Sequence, residues 1–94
     1  MTDSEKLEAI ADKCEAKIMR HALFRPWNSL DDAMLLIAIL KTVKRFQSST
    51  VHIEDERASC YIWETDKTAA PTWSAFDPSP ARAVFEAAFE ACHG

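Results

Sequence analysis

Three histidines, three cysteines and an acidic triplet are the side chains of this sequence with the most chemistry to offer. His21, His52 and His93 lie far apart and fall on three different elements. Cys14, Cys60 and Cys92 are equally scattered. A structural zinc site announces itself by paired ligands a few residues apart, and no Cys-x-x-Cys occurs. A metal would need Cys14 with His21, or Cys92 with His93, to converge, so none is expected. A Cys/His nucleophile pair forms in space rather than in sequence. No spacing here marks a cysteine for that role, and each sits among apolar neighbours, as a buried structural cysteine does. Glu54-Asp55-Glu56 offers hard oxygen ligands, but reads first as a solvated turn that blunts the end of a hairpin. The only glycine is Gly94, so no glycine-rich phosphate loop can form. The expectation is a protein with no catalytic residues, no metal and no cofactor.

The aromatic side chains are the stronger signal. Trp27, Tyr61, Trp63 and Trp73 are many for 94 residues. Tyrosine and tryptophan are favoured interface anchors, yet tryptophan is also highly buried on average. Two arrangements stay open. Helices cover both faces of the strand that carries Tyr61 and Trp63, or one face shows these rings to solvent beside His52. The candidate partner-binding set is Trp27, Glu54, Asp55, Glu56, Tyr61, Trp63, Asp66 and Trp73.

The elements that must position these residues follow from periodicity. Residues 4–22 place Leu7, Ile10, Ala11, Cys14, Ile18 and Ala22 at helical spacing, with Asp3 or Ser4 as cap. Arg25-Pro26-Trp27 breaks that helix. Ser29 caps the next one, with Asp32 three residues on. Ala33 to Leu40 is continuously apolar and leaves no polar face. Such a helix is buried on most sides, or its spare face meets a partner. Residues 47–54 read as a strand, Glu54–Arg57 as a tight connection, and 58–64 as a strong strand in which Ala58, Cys60 and Ile62 alternate with Ser59, Tyr61 and Trp63. Thr65–Pro71 is a loop and Thr72–Phe76 a third strand. Ser79 caps a closing helix that starts at Pro80 and buries Ala81, Val84, Phe85, Ala88, Phe89 and Cys92. The result is one α+β domain over residues 1–94, an antiparallel three-stranded meander with helices packed on it, in the order α-α-β-β-β-α.

Charge narrows the partners. Residues 1–45 hold seven acids and eight bases, a balance of +1; residues 46–94 hold eight acids and three bases, a balance of −5. An acidic half does not attract nucleic acid; it suits a basic protein surface or simply aids solubility. No apolar run approaches the ~20 residues of a membrane span, and the acidic start lacks the pattern of a signal peptide. With three widely spaced cysteines, these features fit a cytoplasmic protein.

Two family resemblances bear on this order. The last five elements match the topology of the double-stranded-RNA-binding domain, and Ser79-Pro80-Ala81-Arg82-Ala83-Val84-Phe85-Glu86-Ala87-Ala88 resembles its closing helix. That family grips phosphates with lysines at the start of this helix. Here only Arg82 stands there, with Glu86 and Glu90 nearby, so RNA binding is not expected. The second resemblance covers most of the chain. Trp27-Asn28-Ser29-Leu30-Asp31-Asp32-Ala33-Met34, Trp73-Ser74-Ala75-Phe76 and Pro80-Ala81-Arg82-Ala83 through Cys92 resemble motifs of the phage ABA-sandwich domain family, small proteins of phages and prophages. The chain departs from that pattern at Asn28-Ser29-Leu30 and in the longer Thr65–Pro71 loop. The resemblance implies a sheet with helices on both faces, which would bury Tyr61 and Trp63.

It also implies a function. A small, acidic, non-catalytic phage protein is expected to bind a host protein or complex in the bacterial cytosol. It would inhibit that target by steric blockade, as an anti-CRISPR or other anti-defence protein does. Two alternatives stay open. One is an oligomeric trap for a nucleotide signal, built on Arg25, Lys44 or Arg45 with a stacking tryptophan. The other is a structural or assembly module of the phage. The apolar second helix invites homodimerisation.

Overall fold

In the computed structural model, residues 2–13, 24–43, 46–65 and 70–93 are described. Three helices and three strands follow in the expected order: α1 (Asp3–Lys13), α2 (Leu30–Thr42), β1 (Ser48–Ile53), β2 (Ala58–Trp63), β3 (Trp73–Asp77) and α3 (Pro80–His93). The expected continuation of α1 over 14–22, with Cys14 and His21, lies outside the described residues.

Each helix start shows how local chemistry sets a boundary. Thr2 and Glu5 close a reciprocal capping box: the Glu5 N–H donates to Thr2 Oγ1 at 3.2 Å and the Thr2 N–H to Glu5 Oε1 at 3.0 Å. The cap is thus Thr2, not Asp3 or Ser4. Asp3 is engaged elsewhere, on Arg82 of α3. Ser29 caps α2 as expected, accepting from the Asp32 N–H at 3.4 Å. Asp32 does not return the bond to Ser29. Its carboxylate accepts the Arg25 N–H at 2.9 Å and so ties down the Arg25-Pro26-Trp27 turn. At α3, Asp77 accepts the Ser79 N–H at 2.9 Å and Ser79 accepts the Arg82 N–H at 3.4 Å.

The sheet is an antiparallel meander in the order β1-β2-β3. Val51 pairs with Cys60 and His52 with Ser59; Cys60 pairs with Ala75 and Ser59 with Phe76. The β1–β2 hairpin closes where the Glu54 N–H donates to the Arg57 carbonyl at 2.8 Å. This register gives each face one set of side chains. Ala58, Cys60 and Ile62 are buried on the inner face, where Val51, Trp73 and Ala75 pack at its margin.

α3 is the centre of the fold. It packs on the sheet and also against α1 and α2. Ala81, Ala83, Val84, Phe85, Ala87, Ala88, Ala91 and Cys92 are all buried, so the helix is covered on nearly every side. Alanine permits this, because small side chains let backbones approach closely on several faces at once. One flank stays charged. Arg82 and Glu86 reach out to Asp3 and Lys6 of α1, with Arg82 Nη2 to Asp3 Oδ2 at 2.8 Å, Arg82 Nη1 to Glu86 Oε1 at 3.2 Å and Lys6 Nζ to Glu86 Oε1 at 3.0 Å.

α2 is less buried than α3, although its sequence is the more apolar. Ala33, Leu36, Ile37 and Leu40 enter the core, while Met34 and Leu35 are 42% and 45% exposed. Because α1 and α2 pack on α3, and α3 on the inner sheet face, all three helices share one side of the sheet. The helix layer on each face that the phage-family resemblance implies is therefore not formed by the described residues. On the inner face α3 alone covers β2 and β3.

Candidate functional site: the open face of the sheet

Strand alternation puts Tyr61 and Trp63 of β2 on the outer face, with His52 of β1 and Phe76 of β3. Between the last two lies Ser59, whose small side chain leaves room for the rings around it. Tyr61 is the hub. Its ring meets His52 edge-on at 5.8 Å between centroids, meets Phe76 edge-on at 5.9 Å, and lies 6.3 Å from Trp63. Edge contacts of this kind match the positive rim of one ring to the negative face of another. Phe76 is 53% exposed and His52 is exposed, whereas Trp63 is only 9% exposed. The two arrangements left open by the sequence thus resolve ring by ring: Trp63 is buried, and Tyr61, His52 and Phe76 form a face reached by solvent.

The acidic hairpin turn borders this cluster. Glu54, Asp55 and Glu56 are exposed and line an open notch with Arg57. The hairpin closes next to the His52–Ser59 pair, so the carboxylates stand at the His52 and Phe76 end of the face. Arg57 turns back over the sheet, its guanidinium carbon 5.5 Å from the Phe76 ring centroid. A cation therefore already rests on this aromatic surface, as the ring quadrupole favours.

The other candidates fall elsewhere. Trp27 packs edge-on against Phe85 at 5.6 Å, as part of the core wall. Trp73 belongs to the inner sheet face, packed against the core. Asp66, Lys44 and Arg45 lie outside the described residues. Phe76 and His52 are the face residues not in the sequence-derived set. The alternation of β3 beside β2 could have found Phe76, since it shares the phase of Ser74 and faces Ser59 in register.

Cys60 and Cys92 are buried, as expected, and burial pushes the Cys60 thiol up to about 12. It stays a neutral, apolar-packed thiol at physiological pH, with no thiolate to act as nucleophile. Among the described residues no three His, Cys, Asp or Glu side chains gather where they could hold a metal ion. No helix among them is long and apolar enough to cross a membrane. Arg82, the cation at the start of α3, is held by Asp3 first and Glu86 second, and these hydrogen bonds keep its proton more tightly than usual. It reaches along the helix, not out to a phosphate. Comparison with protein-family models, curated proteins and solved structures finds no match to the chain.

Proposed function

We propose that this protein is a non-catalytic binding protein that docks a basic protein surface on the open face of its sheet. The observation that carries the reading is the solvent-reached cluster of Tyr61, His52 and Phe76 beside Glu54, Asp55 and Glu56. Aromatic rings supply contact area at little entropic cost, and carboxylates at the rim steer a basic partner to it. Arg57 over Phe76 illustrates the kind of contact an arginine of the partner would make with the faces of Tyr61 and Phe76. The −5 balance of residues 46–94 supports a basic protein over nucleic acid. The phage-family resemblance extends the reading: the partner is a host protein or complex, and the protein acts in the bacterial cytosol as a steric inhibitor, in the manner of an anti-CRISPR or other anti-defence protein.

The test is a pull-down from bacterial lysate with the wild-type protein and a Tyr61→Ala/Phe76→Ala variant of confirmed fold, paired with phage-plating assays. The expected result is a basic protein retained by the wild type, released by salt and lost with the variant. The proposal is wrong when no protein is retained, or when wild type and variant retain the same proteins equally.

A further inference from the structure

One side of α2 is left exposed to solvent. Asp31, Met34, Leu35, Ala38 and Lys41 are all exposed, and they recur at spacings of three and four residues along one stripe. Two residues of that stripe are large and apolar, and water is a poor solvent for them. Its ends carry opposite charges: Asp31 in the first turn and Lys41 in the last. Ala38, in the second half, is the small position.

We propose that this stripe is a homodimer interface, occupied by α2 of a second copy running antiparallel across a two-fold axis. Charge complementarity selects that occupant. In an antiparallel pair centred near Leu36, Asp31 of each copy meets Lys41 of the other, so two ion pairs form by symmetry. Met34 of each copy lies over Ala38 of the other, where a small residue gives the long side chain room, and the two Leu35 side chains meet beside the axis. A two-fold interface requires such self-complementarity, with residue i on j and j on i. A parallel pair would set Asp31 against Asp31 and Lys41 against Lys41. The alternation of long and small positions also matches how antiparallel helices interdigitate.

The stripe is short. A 13-residue helix is about 20 Å long, so the contact falls below the area class of permanent dimers and the association is weak, with a dissociation constant on the order of 10–300 µM. This interface lies on α2, across α3 from the open sheet face, so it stands or falls independently of the binding reading above.

Sedimentation equilibrium from low micromolar to about 1 mM protein tests it, with circular dichroism confirming that each variant folds. The wild type is expected to dimerise. Leu35→Glu is expected to abolish the dimer over this range. Asp31→Lys and Lys41→Asp alone are each expected to weaken it ~10-fold, and the double exchange to return it to within about threefold of wild type. A wild type that stays monomeric throughout overturns the proposal. A dimer indifferent to these variants also overturns it, by placing the contact elsewhere. Weakening by the single exchanges without rescue by the double overturns the antiparallel register.

Discussion

Phe76 and Phe85 are the same residue type in opposite situations, and truncating each to alanine measures whether the sheet is covered on one side or two. Phe85 is wholly buried and packs edge-on against Trp27. Its removal leaves an enclosed cavity, for which ~3–5 kcal/mol is the expected cost. Phe76 is 53% exposed, so about half of the ~1.5–3 kcal/mol for burying a full side chain is at stake. Its contacts with Tyr61 and Arg57 add up to ~1 kcal/mol. The expected cost at Phe76 is thus about 1–2 kcal/mol. At ~4–8 °C per kcal/mol for a domain of this size, Phe76→Ala should lower the melting temperature by ~5–15 °C. Phe85→Ala should lower it by ~15 °C or more, or leave too little of the ~5–14 kcal/mol expected for 94 residues to keep the protein folded at 37 °C. Thermal and urea melts of the two variants are the assay. Equal losses would mean that Phe76 is as enclosed as Phe85, and the one-sided sheet would be wrong.

Four further outcomes test other parts of the structure. A double-mutant cycle with Asp3→Asn and Arg82→Met should give a coupling of ~0.5–1 kcal/mol, small because the pair is only partly buried; no coupling would remove the clasp between α1 and α3. The Arg82 guanidinium holds the Asp3 carboxyl below its usual 3.8, so that contribution is present above the unfolded value and is lost as pH falls through the folded one, and acid melts of Asp3→Asn should show a shallower loss than wild type. Cys60 shifts the other way: its thiol rises from 9.0 to about 12, so its stabilisation is complete below pH 9 and fades between pH 9 and about 12, and a Cys60→Ala variant should lose less stability over that window in alkaline urea melts. Ser29→Ala should cost about 1 kcal/mol by removing the α2 cap, read by chemical denaturation; a neutral result would show that the Asp32 carboxylate on the Arg25 N–H carries that start alone.

Much of this architecture is legible in the sequence because local chemistry sets it. Asp32 holds the Arg25-Pro26-Trp27 turn ahead of α2, Ser29 and Ser79 accept backbone N–H groups where the helices after it begin, and the alternation of Cys60 and Ile62 with Tyr61 and Trp63 fixes a strand and its two faces. These signals act over a few residues, so reading them needs no partner. The choice of Thr2 over Asp3 as cap was already non-local, since Asp3 is drawn away by Arg82, 79 residues on.

What surrounds each face is decided by packing. The sequence makes α2 look like the buried helix, because it is the more apolar. The tertiary structure gives the centre to α3, because alanines on several sides let it touch the sheet, α1 and α2 together, and that leaves Met34 and Leu35 outside. Among the described residues the same arrangement places no helix on the outer sheet face, and it makes Tyr61, His52 and Phe76 one surface from three strands. Hydrophobicity tells a side chain to avoid water. Only the geometry of the neighbours says which side chains succeed.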